Sequence, residues 1–332
     1  MSDEASRTHF SAQPRPRRRF LQATIGLAAG LSAIRTLAGG HASKPLLIDN
    51  HAHVGGLEPV DFVEGYDPNT RLGLSHLRML RVLQATGVNM ALLHSLRPWA
   101  NKYHARVVRE YPDRFLAVCK LDEPNAHTTQ ELDNLQMYVG EWGFKGLYYD
   151  PPPGSDPHDN LNAPKYESLW KLVQELRIPV SFVSYGRSYS SISYSSNFET
   201  LWPILLKLMD RFPDLRLVIV HGISPFRCLQ EDGSVVIPES AVQLVKDFDV
   251  VMDVLPRTTQ NYGPNDQVIR RFYETFGASK LAWGTEFIKK KADTAEEYSR
   301  RRYYLQRRCP YLSPEDLQLI MGGNVQRIYH LA

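Results

Sequence analysis

From residue 46 onward, short apolar runs alternate with longer amphipathic stretches. The runs are Leu46–Asn50, Val88–Leu93, Phe115–Lys120, Phe144–Tyr149, Ile178–Val183, Leu215–Val220, Val250–Val254 and Leu281–Gly284. They are dense in Val, Ile, Leu and Phe, which is the pattern of strands buried on both faces. Helical spacing fills the intervals. Leu74, Leu77, Leu80, Val82 and Leu83 form a stripe that ends at Gly87. Tyr166–Arg177 and Phe198–Phe212 repeat the design, and Ser313-Pro314-Glu315-Asp316 reads as a helix start with Pro in its first turn. Eight strands with eight helical segments predict an α/β fold, a single (β/α)8 TIM-like barrel. An open doubly wound sheet would carry a Gly-rich turn after its first strand. Here that strand runs into His51-Ala52-His53 instead.

Composition adds one correction to the charge. The 332 residues carry a formal net charge of +3. Residues 1–42 hold Arg7, Arg15, Arg17, Arg18, Arg19 and Arg35 against Asp3 and Glu4, so the +3 total leaves the remainder slightly acidic. The basic character therefore belongs to the leader, and no nucleic-acid surface is expected. Within the leader, a basic cluster precedes the apolar stretch Ala23–Ile34, and small residues lead to Gly40-His41-Ala42. That is the anatomy of a signal peptide over 1–42, with the barrel occupying 43–332. Arg17-Arg18-Arg19-Phe20-Leu21 resembles the twin-arginine export motif, which predicts recognition by the export machinery and a periplasmic location. The cysteines Cys119, Cys228 and Cys309 are odd in number and widely spaced, so they suit neither a disulfide framework nor a Cys-rich zinc site. Cys119 reads as a buried small hydrophobe. The Arg-rich Ser299–Arg308 stretch reads as a solvated helix face.

The chemistry gathers at strand ends. Side chains alternate along a strand, so His51 and His53 share a side and can converge on one metal ion. His221 ends the sixth strand and Glu286 follows the eighth, and in a barrel these ends surround one axis. His94 also ends a strand, the second, where Leu93-His94-Ser95 reads equally as a polar strand exit. The Ser- and Tyr-rich segment 184–197 follows the fifth strand and reads as a substrate-covering loop in which Arg187 could hold a carboxylate. Lys145, entering the fourth strand, is a second candidate for binding an acid.

These motifs, taken in order, resemble the amidohydrolase-related family over nearly all of residues 46–332. Ile48-Asp49-Asn50-His51-Ala52-His53 is similar to its first-strand I-D-x-H-x-H, and Trp142-Gly143-Phe144-Lys145-Gly146 to its fourth-strand approach. Phe212-Pro213-Asp214-Leu215 through His221-Gly222 resembles its sixth strand, Trp283-Gly284-Thr285-Glu286-Phe287 its eighth, and Leu312-Ser313-Pro314-Glu315 through Gly322-Gly323-Asn324 its terminal helices. The resemblance implies His51 and His53 as metal ligands, Glu286 as ligand or base, and His221 as the proton-transfer residue. It also implies a fifth-strand histidine ligand, and Val183 stands there.

The resemblance implies a hydrolase for a small lactone, amide or related carbonyl compound, using a divalent metal, zinc first among the candidates, to assist water attack. Three alternatives stay open. They are a metal-free lactonase, favoured by Val183; a nonoxidative carboxy-lyase for an unsaturated or aromatic acid; and a catalytically silent exported protein that binds small carbonyl acids. The expected partner throughout is a small carbonyl or carboxylic-acid molecule, and the oligomeric state is left open.

Overall fold

The computed structural model describes residues 46–54, 76–151, 154–183, 194–222, 232–256, 265–287 and 294–331. The chain separates into two units, Met1–Ser43 and Lys44–Ala332. The first unit, with its leader reading, lies outside the described residues, as do Arg187 and Cys228.

Eight strands form: β1 (Ile48–Ala52), β2 (Met90–His94), β3 (Phe115–Val118), β4 (Leu147–Tyr149), β5 (Val180–Val183), β6 (Leu217–Val220), β7 (Val250–Val254) and β8 (Leu281–Trp283). All their ladders are parallel, in the orders β1-β2-β3 and β4-β5-β6-β7-β8. Two parallel bridges join these groups, Cys119 to Leu147 and Ala52 to Phe287, and so close the ring. Each strand is followed by a helix, in turn His76–Thr86, Ala100–Glu110, Thr129–Gly140, Glu167–Glu175, Tyr194–Arg211, Glu239–Asp247, Asn265–Phe276 and Ala295–Arg308. The fold is the expected (β/α)8 barrel.

Strand alternation divides the core in two. Leu92, Leu116, Val118, Tyr148, Val183, Val218, Val220, Val251 and Ala282 pack together inside the barrel with Ile48. Their chain neighbours Leu93, Ala117, Leu147, Phe182, Ile219, Met252 and Trp283 pack outward against the helices, which contribute buried faces such as Leu169, Trp170, Leu172 and Val173. Cys119 and Cys309 are buried free thiols, and burial pushes the Cys119 thiol up, which makes it inert.

The Gly-Gly-Asn signature works at the amino end of the barrel. Asn324 Nδ2 donates to the carbonyls of Ala278 and Leu281, both at 2.7 Å, and so ties the terminal helix Asn324–Ile328 to the start of β8. Gly322 lies against the lead into β1, where an added Cβ would stand 2.0 Å from the Leu46 carbonyl oxygen and 3.4 Å from the Ile48 nitrogen. Both are backbone atoms of the barrel itself, so the clash cannot be relieved by a rotamer. Gly322→Ala is expected to cost about 2–3 kcal/mol, read as a lower denaturation midpoint with an unchanged m value.

Two expectations are corrected. The helix Ala295–Arg308 is not a uniformly solvated face, because Arg301 and Arg302 are buried. They fall on the stripe defined by Tyr298 and Leu305, and Arg301 Nη1 donates to the Thr285 carbonyl at 2.7 Å, just beyond β8. Lys145 precedes β4 and is exposed at the amino end of the barrel, so it is on the rim opposite the strand-end histidines and not in a position to bind substrate beside them.

Candidate active site

β1 is irregular where it matters. Its register against β2 shifts between Asp49 and Ala52. Ile48 packs inside the barrel while Ala52, an even number of residues further on, packs outside, so the usual alternation is broken. The shift lets two consecutive residues reach one carboxylate. Asn50 Nδ2 donates to Asp253 Oδ1 and His51 Nδ1 donates to Asp253 Oδ2, each at 2.8 Å. Gly284 leaves room for this, since a Cβ there would lie 2.8 Å from His51 Cβ and 2.9 Å from Asp253 Oδ1.

His53 Nδ1 lies 3.1 Å from the His94 carbonyl oxygen. A carbonyl only accepts, so Nδ1 carries the proton and Nε2 is left bare. The Asp253 carboxylate fixes His51 the same way. The two Nε2 atoms then face each other at 3.1 Å. Two acceptors at that separation require a positive centre between them, either a shared proton or a cation. Among the described residues no group of three or more His, Cys, Asp or Glu side chains is gathered at metal-binding spacing, so this pair is what the structure offers a metal.

The proton-transfer candidates also meet. His221 Nε2 lies 3.3 Å from Glu286 Oε1, both side chains are buried, and the His221 ring stacks on His51 with centroids 5.0 Å apart. Glu286 is thus placed beside His221. His221 has φ 64° and Glu286 φ 53°, both in the left-handed region that costs a branched-off side chain energy. Such strain, about 1–3 kcal/mol for each residue, concentrates at sites where the surroundings over-determine a pose. Glu286 is fixed by its amide, which donates to the His51 carbonyl at 2.6 Å, and His53 N donates to the Phe287 carbonyl at 3.0 Å. Asp49 adds a staple: Oδ1 accepts from Thr285 N at 2.9 Å and Oδ2 from Thr285 Oγ1 at 2.6 Å. Burial pushes the Asp49 carboxyl up to about 7, with the Thr285 hydroxyl and the His51 amide opposing that rise.

His94 completes the cluster from β2, its ring centroid 4.5 Å from that of His51. Neither of its ring nitrogens has a hydrogen-bond partner among the described residues. Burial, then the neighbouring His51, His53 and His221, hold its pKa well below the usual imidazole range. Val183 ends β5 inside the barrel, buried and apolar, where the resemblance implied an imidazole. Sequence reasoning missed Asp253 and Asn50. Asp253 did leave a signal, a single carboxylate inside the apolar run Val250–Val254.

Comparison with known proteins agrees with the fold. The amidohydrolase family profile matches residues 48–331, and the chain belongs to that family of enzymes. A 2-keto-4-carboxy-3-hexenedioate hydratase from Sphingobium sp. (strain NBRC 103272 / SYK-6) is 32% identical over 138 residues, 38% of this chain and 40% of the hydratase. The match thus spans less than half of that relative's length. Among solved structures, 5-carboxyvanillate decarboxylase from Sphingomonas paucimobilis is similar with a TM-score of 0.60 at 16% identity, over 87% of this chain and 100% of the other. Dihydroxybenzoic acid decarboxylase from Polaromonas sp. JS666, with bound manganese and 2-nitroresorcinol, gives a TM-score of 0.63 at 17% identity, over 87% and 98%. A probable 2-pyrone-4,6-dicarboxylic acid hydrolase from Acinetobacter baumannii, with citric acid bound, gives 0.61 at 17%, over 86% and 99%. At these identities the structural likeness establishes the fold.

Proposed function

We propose that the protein is a metal-assisted hydrolase that attacks a small carboxylate-bearing carbonyl compound, such as a lactone, with water. The observation that carries this reading is the facing pair of His51 and His53 Nε2 atoms, 3.1 Å apart, with each Nδ1 already committed to a carboxylate or a carbonyl. Two imidazoles ligating one ion at about 2.0–2.1 Å place their nitrogens at about this separation, and the committed Nδ1 atoms are the outer contacts that orient ligating histidines. His51 and His53 would therefore hold a divalent cation. Bound there, such an ion supplies Lewis-acid polarisation of a carbonyl and eases ionisation of water.

The chain's own residues do the rest. His221, backed by Glu286, takes the proton from the attacking water and returns it to the leaving oxygen. The Glu286 carboxylate stabilises the imidazolium formed in between. Asp253 keeps His51 in the tautomer that leaves Nε2 bare. Burial of all these groups excludes bulk water and strengthens each interaction. The manganese named for a structural neighbour supports a cation, and the keto acid named for a relative supports a small carbonyl acid.

The hydratase match favours a second reading on the same residues, addition of water to, or its loss from, an unsaturated keto acid. A carboxy-lyase shares the fold. One experiment separates the three: incubation of the cation-loaded protein with 2-pyrone-dicarboxylates, unsaturated keto acids and hydroxybenzoates in heavy water, followed by mass spectrometry and proton NMR. Hydrolysis adds one water and breaks the acyl C–O bond of the ring, giving a carboxylate and an enol; ring opening is its signature, whatever deuterium the enol takes up on ketonising. Hydration places deuterium on carbon. Decarboxylation releases carbon dioxide. Water addition to the acyclic unsaturated acid or released carbon dioxide, with the pyrone ring left intact, would sink the hydrolase reading.

A further inference from the structure

A buried cation stands beside the histidine cluster without a role in the water attack. Lys120 lies two residues beyond Val118 on β3, so its side chain shares the inward side with Leu116 and Val118. Asn101 fixes its backbone from both directions: Asn101 Nδ2 donates to the Lys120 carbonyl at 2.7 Å, and Lys120 N donates to Asn101 Oδ1 at 2.9 Å. Lys120 Nζ meets Glu123 Oε1 at 2.5 Å and sits 5.0 Å from the centroid of the Tyr148 ring. The same Glu123 oxygen accepts from Asp150 N at 2.5 Å. The Tyr148 ring in turn meets the edge of His94, centroids 5.1 Å apart.

An ammonium has three N–H donors. Glu123 takes one, and no second acceptor is present among the described residues. Lys120 is as buried as the imidazoles, at 4% exposure. Burying an ammonium is costly unless it is paired and its donors are met. Glu123 meets that need only in part, and its carboxyl is itself pushed up by burial, with Lys120 opposing that rise. His94 packs against the same tyrosine and is buried. A buried ammonium with one hydrogen-bond acceptor, sharing the Tyr148 ring with His94, describes a wall awaiting an acceptor. A carboxylate supplies a second acceptor and a counter-charge for Lys120.

We propose that Lys120 forms a subsite for a substrate carboxylate that does not itself react, so that the preferred substrate carries this acid group in addition to the reacting carbonyl. This rests on the Proposed function for the position of the reacting centre, but its test is a binding measurement that needs no turnover. The full-length protein is titrated with benzoate and with the three benzenedicarboxylates by calorimetry. The wild-type protein is expected to bind at least one dicarboxylate about tenfold more tightly than benzoate, the size of one charge-assisted contact. In Lys120→Met/Glu123→Gln, which removes both charges together, that advantage falls below about threefold while benzoate binding is retained. Lys120→Arg keeps the advantage. Should the double variant fail to fold, Lys120→Gln replaces it. An equal affinity for benzoate and every dicarboxylate in the wild type, or a preference that survives removal of Lys120, overturns the proposal. The same titration in His51→Ala/His53→Ala separates the two readings: a Lys120-dependent preference that persists there stands even if water attack fails.

Discussion

His51→Ala/His53→Ala is expected to abolish divalent-cation binding and to lower turnover by about three orders of magnitude or more. The expectation follows from geometry. No third His, Cys, Asp or Glu joins the pair at ligand spacing among the described residues, so removing both imidazoles leaves the ion nothing to return to. Mass spectrometry of the purified protein after reconstitution with zinc and with manganese measures the first effect, and steady-state kinetics the second. Asp253→Asn provides a graded control. It keeps the shape but weakens the hold on His51 Nδ1, and is expected to reduce cation affinity about 10–100-fold without removing the site. A reconstituted wild type that takes up no cation, or a double variant that binds as well as wild type, would refute the metal assignment and favour the metal-free lactonase, in which His51, His53 and His221 act directly.

The second large effect concerns His221. Its removal is expected to lower kcat by about 10²–10⁴-fold, the contribution of a positioned acid–base group, with cation content unchanged. His221→Asn adds a readout of opposite sign. Asparagine tolerates the left-handed region better than most residues, and the φ of 64° at this position is strained for histidine. The variant should therefore melt no lower than wild type while losing turnover, as expected when strain is stored for function. A variant that loses stability and activity in parallel would assign His221 to the scaffold.

Much of this was legible from residue order. The eight strands are continuous Val- and Ile-rich runs because both faces are covered, and their count and spacing give the barrel directly. Their starts were less readable. Leu46, Val88, Phe144, Ile178 and Leu215 are apolar, yet the ladders begin two or three residues later. Apolar character reports burial, and these residues are buried or packed against the core below the first ladder hydrogen bonds. Of the cluster, His51, His53, His221 and Glu286 were readable because each stands at or just beyond the carboxyl end of a strand. Lys145 failed because a charge before a strand lies on the opposite rim from one after it. Asp253 and Lys120 were harder, because each ends or interrupts a strand run and looks like a boundary. Arg301 and Arg302 look solvated by composition, and only their place on the Tyr298–Leu305 stripe turns them inward.

The joint between the first and last strands has a consequence for assembly. β1 and β8 meet through the Asp49–Thr285 staple, the Glu286 amide on the His51 carbonyl and the Ala52–Phe287 bridge. These contacts are made by the site itself, between residues more than 230 positions apart in the chain. A ribosome must therefore have released nearly the whole barrel before the reaction centre can exist, and no truncated intermediate can carry partial activity. Anything that clasps both edges of this joint acts as its buckle, so slowed amide exchange at His53 and Glu286 would report an occupied centre even where no product is formed.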